Sequence, residues 1–189
     1  MQYSNGGKYT GDWSEGTIAG LGTANYSNGL TYKGQFFDGK AHGKGTMTYT
    51  NGNEYTGEWS SGIKNGEGIA SYSNGTVYSG DFLNGNRHGI GTIIMQNGFE
   101  YNGHWLNGEI EGDGTANYQN GDIYIGSFLK GKRHGLGKMF YFKGQVFEGE
   151  WINGRPFLIP RDAVYDRDVT KFSMDEMISN LSRLSVLGI

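Results

Sequence analysis

The feature that most constrains this chain is a block of 23 residues that recurs without insertion or deletion through most of its 189 residues. Each block opens on an aromatic residue, with a glycine and then a second aromatic residue at fixed offsets. The first aromatic position holds Tyr9, Tyr32, Tyr55, Tyr78, Tyr101, Tyr124 and Phe147, and the second holds Trp13, Phe36, Trp59, Phe82, Trp105, Phe128 and Trp151. A fixed period of this length is typical of an array in which one supersecondary unit is stacked many times.

Within one block the side chains alternate in character. Tyr32, Gly34 and Phe36 are separated by single polar residues, and the same alternation returns over residues 43–49. A period of two indicates β-strands with one special face. Each block is therefore predicted to be a β-hairpin whose two strands are joined by residues 38–42.

Asn-Gly pairs, such as Asn51-Gly52 and Asn153-Gly154, recur along the chain and are expected to supply the positive φ angles of tight turns. Successive hairpins should then pair into a single sheet. The predicted fold is all-β: one elongated, twisted antiparallel sheet of about 13 to 14 strands. The array is predicted over residues 1–154, as a half repeat followed by units starting at 9, 32, 55, 78, 101, 124 and 147.

Glycine inside a strand usually marks the close approach of another group. Gly34 and Gly45 fall on the same predicted face as Tyr32 and Phe36. We therefore expect large rings to lie over bare glycine backbone, so that one sheet acquires a packed aromatic layer without a second sheet behind it. The tyrosine hydroxyls are expected at the wet boundary of that layer, and the opposite face is expected to be polar and solvated.

The pattern YxGxWxxGxxxGxG resembles the MORN repeat (membrane occupation and recognition nexus), and the likeness covers roughly residues 1–154. The resemblance implies the stacked-hairpin fold. It also implies a setting, because the family includes cytoskeletal scaffolds, ciliary proteins and junctional membrane proteins. On that ground the expected location is cytoplasmic and cytoskeletal, at a cilium, an axoneme or the cell cortex.

A second period of 46 residues overlies the first. The second aromatic position alternates strictly between Trp and Phe, and only the Phe blocks carry His42, His88 and His134. Two explanations stay open: duplication of a two-hairpin block, or a partner that reads every second hairpin. Successive histidines would lie about 19 Å apart, so they cannot share a metal ion, and they are expected to be structural residues of the hairpin loops. His104, alone on the polar face, is expected to have no chemical role.

The end of the chain departs from the pattern. Residues 155–172 read as an extended linker, and residues 173–188 as one amphipathic helix that opens on a capping box. Its apolar positions are Met174, Met177, Ile178, Leu181 and Leu184. Such a helix needs a surface to cover. It is expected either to cap the last repeats or to dock on a partner or a second copy.

Composition excludes several classes of function. The chain has no cysteine and a net charge of −3, so disulfides, thiolate metal sites and nucleic-acid binding are not expected. No catalytic constellation or phosphate-binding loop is present, and neither enzyme activity nor a cofactor is predicted.

The predicted function is protein recognition by a non-catalytic scaffold, because aromatic anchors dominate binding energy at interfaces. The expected partner-binding groove consists of Tyr32, Phe36, Tyr49, Tyr55, Trp59, Tyr72, Tyr78, Phe82, Tyr101, Trp105, Tyr118, Tyr124 and Phe128. Self-association through this groove, as a homodimer, is a rival use. The alternative function is that of a membrane adaptor that binds anionic phospholipid, with Lys130, Lys132 and Arg133 as the contact, although direct lipid binding is expected to be weak.

Overall fold

A computed structural model describes residues 1–158 of the chain, apart from residues 3 and 5. The predicted helix at 173–188, and the predicted linker beyond residue 158, lie outside the described residues.

The described residues form one open antiparallel sheet of 14 strands, in which every strand pairs with its neighbours in the sequence. The strands are β1 (Lys8–Ser14), β2 (Thr17–Asn25), β3 (Thr31–Phe37), β4 (Lys40–Thr48), β5 (Glu54–Ser60), β6 (Ile63–Ser71), β7 (Val77–Leu83), β8 (Asn86–Ile94), β9 (Glu100–Leu106), β10 (Glu109–Asn117), β11 (Ile123–Leu129), β12 (Lys132–Phe140), β13 (Val146–Ile152) and β14 (Arg155–Pro156). The predicted array of stacked hairpins is confirmed. The sheet continues two residues past residue 154, because β14 pairs with β13.

Hairpins close through two residues rather than the five predicted at 38–42. Asp38 and Gly39 both have positive φ, 47° and 70°, which is the requirement of the tight turn that matches the twist of the strands. Lys40, Ala41 and His42 therefore belong to β4. The prediction of histidines in hairpin loops is wrong for the same reason, since His88 lies in β8 and His134 in β12.

The Asn-Gly pairs that connect one hairpin to the next work differently from the prediction. In Asn51-Gly52 only the glycine has positive φ, at 82°. The Asn51 side chain instead accepts a hydrogen bond at 3.1 Å from the backbone N–H of Asn53, which holds the turn. Asn153-Gly154 is of the tight type, with φ of 51° and 86°.

Each hairpin contains an irregularity at a fixed place. Gly34 pairs with Gly45 and Phe36 with Ala41, so a single residue, Gln35, faces three residues of β4. The Gln35 side chain fills the gap by accepting a hydrogen bond from the Lys44 backbone N–H at 2.7 Å. At the equivalent position of another repeat, His104 Nδ1 donates to the Asp113 carbonyl at 3.0 Å. His104 therefore has a structural role, because it closes the same gap, and its lack of a chemical role stays a prediction.

Glycines pair with glycines at the centre of every strand from β1 to β13. The register joins Gly11 to Gly22, Gly22 to Gly34, Gly34 to Gly45 and so on to Gly149. A Cβ on Gly45 would overlap the Tyr32 ring, and one on Gly68 would overlap the Tyr55 ring. The predicted packing of rings on glycine is confirmed. We call the side that carries these rings the ring face and the opposite side the outer face.

The tyrosines at the centre of the ring face are not at a wet boundary. Tyr32, Tyr55, Tyr78, Tyr101 and Tyr124 are fully buried. The hydroxyl of each donates to a carbonyl three residues later, such as Tyr55 to Glu58 at 2.9 Å. That carbonyl belongs to the residue at the irregularity, where the strand pairing leaves it within reach. The expectation of wetted hydroxyls is therefore wrong.

The rings form one continuous edge-to-face series along the sheet. Tyr55 contacts Trp59 of its own repeat at a centroid distance of 5.1 Å and Phe82 of the next repeat at 4.8 Å. In three repeats the tryptophan, Trp59, Trp105 or Trp151, also donates its indole N–H, as from Trp105 to the Gly91 carbonyl at 3.0 Å. Each repeat thus completes the burial of the rings before it.

Candidate binding surface on the ring face

The thirteen residues predicted to line a partner groove all lie on the ring face, but the sheet itself covers most of them. The two central rings of each repeat are buried, at 6% exposure or less: Tyr32, Phe36, Tyr55, Trp59, Tyr78, Phe82, Tyr101, Trp105, Tyr124 and Phe128. Only Tyr49, Tyr72 and Tyr118 are half-buried. The central rings therefore stabilise the sheet, and the surface open to a partner begins at these three tyrosines.

The accessible row continues beyond the predicted residues. Met95 and Tyr141 occupy the same position in their repeats as Tyr72 does, and both are half-buried against the core. Phe99 joins the row by packing on Tyr118 at a centroid distance of 5.5 Å. The signal was available in the sequence, because this position also repeats every 23 residues, three residues before the glycine of each turn that joins one repeat to the next.

Part of this row forms a pocket of about 620 Å³ lined by Met95, Phe99, Tyr118, Met139 and Arg133, among others. One carboxylate, that of Asp122, also lines it. Its two oxygens accept hydrogen bonds from the Phe142 backbone N–H and the Asn120 side chain, both at 2.9 Å.

Three cationic side chains lie on the ring face, and sequence reasoning placed none of them there. Lys64 pairs with Trp59, Arg87 with Phe82 and Arg133 with Phe128, so all three occupy the same position in their hairpins. The corresponding residue in other repeats is Ile18, Ala41 or Ile110, and this mixture hid the row from sequence inspection.

The two arginines lie over tryptophans of the following repeat. The Arg87 guanidinium carbon is 4.4 Å from the Trp105 ring centroid, and the Arg133 carbon is 4.3 Å from that of Trp151. Each also donates one hydrogen bond to a turn carbonyl, Gly108 at 2.9 Å and Gly154 at 2.7 Å. A guanidinium has five N–H donors, so most of each head is left for another acceptor.

Lys64 packs more deeply among rings. Its Nζ lies 4.8 Å from the Tyr55 centroid and 5.1 Å from that of Tyr49. Burial lowers the pKa of the Lys64 ammonium below its ordinary value. Among the described residues, the one ion pair joins Lys138 to Glu148, so no carboxylate forms an ion pair with Lys64, Arg87 or Arg133.

Burial also acts on the tyrosines. It raises the pKa of Tyr32, Tyr78, Tyr101 and Tyr124 to about 12. The pKa values of the half-buried Tyr49 and Tyr118 are raised for the same reason. These phenols stay neutral at physiological pH, so the ring face offers aromatic contact and positive charge but no phenolate.

The three residues predicted to contact anionic lipid do not form one cluster. Lys130 and Lys132 are exposed, at the turn and at the outer face. Arg133 points to the opposite face from Lys132, because side chains alternate along a strand. There its head is held over rings and by the Gly154 carbonyl.

The outer face carries a second concave feature. Above the glycine row runs an open groove of about 1370 Å³ across β1 to β9. Its walls combine threonines with both charges, including Lys33, Lys44, Glu58, Glu67 and Asp81. Exposed aliphatic residues, among them Ile69, Ile90 and Ile125, project from the same face.

Within residues 1–158 as described, no three His, Cys, Asp or Glu side chains come together in a way that would hold a metal ion. His42, His88 and His134 each follow a residue of the ring face, namely Ala41, Arg87 and Arg133. Because side chains alternate along a strand, the three histidines lie on the outer face. The part of the chain that the structure describes also contains no helix able to cross a membrane.

Two solved structures show a distant similarity to the chain. Among solved structures, the chain is similar to the SAS-4 (dCPAP) TCP domain of Drosophila melanogaster in complex with a proline-rich motif of Ana2 (dSTIL), at 18% identity and a TM-score of 0.44, over 69% of this chain and 73% of that one. It is also similar to the TCP10 domain of Danio rerio CPAP in complex with a STIL peptide, at 12% identity and a TM-score of 0.27, over 79% and 76% of the two chains.

No curated protein matches the chain. The family model of the MORN repeat matches residues 9–31, 32–54, 55–77, 78–99, 101–123, 124–146 and 147–156. These matches cover well over half of the sequence and follow the hairpins one by one. The chain therefore belongs to the MORN-repeat family.

Proposed function

We propose that the chain is a non-catalytic scaffold that binds a segment of a partner protein along its ring face. The observation that supports this most directly is the half-buried row of Tyr49, Tyr72, Met95, Tyr118 and Tyr141, which runs beside three cations without a carboxylate partner. Rings and arginines are the residues that contribute most to binding at protein interfaces.

The buried rings have an indirect part in this proposal. Because Tyr55, Tyr78 and Tyr101 are held rigidly by their neighbours, the half-buried tyrosines beside them sit on a fixed base. A rigid surface loses little conformational entropy on binding, which favours affinity. The groove predicted from sequence is thus proposed in a reduced form, with its central rings as support rather than contact.

The proposal is tested by selecting peptides from a displayed random library on the immobilised full chain. A ring-face variant, Tyr72→Ala with Tyr118→Ala, is compared with an outer-face variant, Ile69→Ala with Ile125→Ala. Peptides enriched on the native chain should bind the ring-face variant at least about tenfold more weakly and the outer-face variant unchanged. Failure to enrich any peptide, or equal binding to the ring-face variant, would contradict the proposal.

The cytoskeletal setting is proposed from membership of the family alone. We expect a tagged chain to localise with an axoneme, a basal body or the cell cortex. Fluorescence microscopy with markers for each structure checks this, and a diffuse signal in ciliated cells would count against it.

Self-association as a homodimer is a second proposal. Because the central rings of the groove expected from sequence are buried, it is now proposed through the exposed aliphatic residues of the outer face. Ile69, Ile90 and Ile125 are each about half exposed, at 48% to 49%. Light scattering over a range of concentrations measures the mass directly. A monomer mass that does not change with concentration would exclude it.

The adaptor that binds anionic phospholipid remains the alternative proposal. Lys130 and Lys132 would contribute about 1 kcal/mol each near an anionic surface, so weak binding is expected. Sedimentation with phosphatidylserine vesicles, repeated with Lys130→Met and Lys132→Met together, measures this contribution.

A further inference from the structure

The charges of the sheet are divided unequally between its two faces. By the alternation of side chains, Lys64, Arg87 and Arg133 are the charged residues of strands β1–β14 that lie on the ring face, and all three are cations. The strand carboxylates, such as Glu58, Glu67 and Asp81, lie on the outer face with the remaining lysines. A segment that binds the ring face therefore meets these three cations and one carboxylate, that of Asp122 beside Tyr118, whose two oxygens already accept hydrogen bonds within the chain.

The three cations also remain short of acceptors. Among the described residues, Arg87 and Arg133 each make one hydrogen bond and Lys64 makes none, although Lys64 packs against three rings. A partly desolvated ammonium without an acceptor is stabilised strongly by a carboxylate, because charge-assisted hydrogen bonds are about twice as strong as neutral ones. This favours an anionic ligand over a neutral one.

The spacing of the three cations limits the backbone conformations that such a ligand can have. Lys64 lies on β6, Arg87 on β8 and Arg133 on β12, so the intervals are two and four strands. At ~4.8 Å per strand these intervals are about 10 Å and about 19 Å. A polyproline II segment rises ~3.1 Å per residue with three residues per turn, so positions i, i+3 and i+9 fall on one side at about 9 and 19 Å.

Other regular conformations fit less well. In a β-strand, positions three apart point to opposite sides, so one of the two carboxylates would face away. In an α-helix, which rises 1.5 Å per residue, the positions that stay on one side are i, i+7 and i+21, at about 10.5 and 21 Å, so the second interval is too long by about 2 Å. Aromatic-lined surfaces are also the usual docking sites for polyproline II segments.

We propose that the ring face recognises an acidic, extended segment of a partner protein in the polyproline II conformation, with carboxylates at i, i+3 and i+9. They pair in order, or in reverse order, with Lys64, Arg87 and Arg133. Apolar residues between the carboxylates lie against Tyr72, Met95 and Tyr118. This inference rests on the proposed function and names the partner class for the same surface.

The test sequences the peptides enriched from a displayed random library of about 12 residues, a length that spans i to i+9. Enriched peptides should carry Asp or Glu separated by three and six positions, with proline between them. Replacing one of those carboxylates by its amide in a synthetic peptide should weaken binding about tenfold in fluorescence anisotropy.

A matched pair of charge variants assigns the effect to the ring face. Lys64→Met, Arg87→Met and Arg133→Met together should abolish enrichment of acidic peptides. The control variant removes the same charge from the outer face, with Lys33→Met, Lys44→Met and Lys132→Met. It should still enrich acidic peptides. Because the arginines support the fold, Lys64→Met alone is measured as well and should weaken the best acidic peptide about tenfold.

The outcomes separate this inference from the proposed function. Enrichment of neutral or basic peptides that bind the ring face would overturn the inference and leave the scaffold function standing. Two other results would also overturn it. One is the enrichment of acidic peptides whose carboxylates have helical spacing. The other is binding of the native chain to phosphatidylserine vesicles, if the ring-face charge variant no longer binds them. If no peptide is enriched at all, the proposed function itself fails.

Discussion

The two faces of this sheet share one backbone, yet they contribute very differently to its stability. The ring face buries its central rings completely without a second layer, because each ring is covered by glycine backbone below and by the rings of adjacent repeats beside it. The outer face leaves Leu21, Ile90 and Ile125 between 49% and 63% exposed.

The difference shows how a single sheet can be stable without a second layer. The rings of one face are covered by the glycine backbone beneath them and by neighbouring rings of the same face. Tyr78, for example, contacts glycine backbone, Phe82 and Trp105, and donates its hydroxyl to Asp81. Residues of the outer face have no such cover. Substitutions of neighbouring residues, one on each face, should therefore differ sharply in their effect on stability.

The largest expected change in the stability of the ring face comes from raising the pH. Burial raises the pKa of Tyr32, Tyr78, Tyr101 and Tyr124 from 10.0 to about 12. The unfolded chain releases these protons first, so the free energy of unfolding is unaffected by them below pH 10 and falls as pH rises from about 10 to about 12. Urea unfolding at a series of pH values measures this, and a constant midpoint across that window would contradict burial of the phenols.

The next effect concerns the glycine row. Gly91→Ala places a methyl group where the Tyr78 ring lies, so the ring must move and its hydrogen bond to Asp81 is strained. We expect a loss of about 3 kcal/mol in the free energy of unfolding. The adjacent outer-face change, Thr92→Ala, removes the acceptor of one exposed hydrogen bond from Asn102 and should cost about 1 kcal/mol. Equal losses in the two variants would remove the distinction between the faces.

A smaller effect is expected where the indole group is lost but a ring is kept. Trp105→Phe removes the hydrogen bond to the Gly91 carbonyl and part of the surface under Arg87, at a cost of about 2 kcal/mol. Leu106→Ala, on the outer face at 43% exposure, is the control and should cost less than about 1 kcal/mol. Thermal and urea unfolding of both variants test the ranking, which would be reversed if the outer face formed the core.

The smallest effect isolates one hydroxyl. Tyr78→Phe removes the hydrogen bond of 2.9 Å to the Asp81 carbonyl and keeps the ring, so a loss of about 1 kcal/mol is expected. Ser79→Ala on the outer face should change stability by less than about 0.5 kcal/mol. Phe147 already occupies the equivalent position in the last repeat, so the fold is expected to persist. A larger loss for Ser79→Ala would contradict the assignment of the core.

Sequence alone predicted the hairpins, the single sheet and the contact of rings with glycine, because period-two alternation and a fixed repeat carry that information. It did not predict that Tyr55 would be covered, since the covering rings come from another repeat and no second layer was visible in the pattern. Its hydroxyl acceptor was also missed, because the Glu58 carbonyl is freed by an irregular register that alternation does not reveal.

The turns and the cations show two further limits. The sequence predicts a loop at Lys40 and Ala41, because nothing in their character marks a strand. Positive φ at Asp38 and Gly39 makes a loop of that length unnecessary. Lys64 and Arg87 share a row with Ile18 and Ala41, so a comparison of repeats shows no common residue type at that position. Their shared face becomes evident only from the register.

Each tight turn is tied to the repeat before it: the Gly85 N–H donates to the Lys64 carbonyl at 2.9 Å, and the Gly108 N–H to that of Arg87 at 2.8 Å. The spacing of the turns along the edge of the sheet is therefore determined by main-chain hydrogen bonds and does not depend on a ligand. Adding or removing one whole hairpin would change the length of the sheet and leave the distance between neighbouring turns the same.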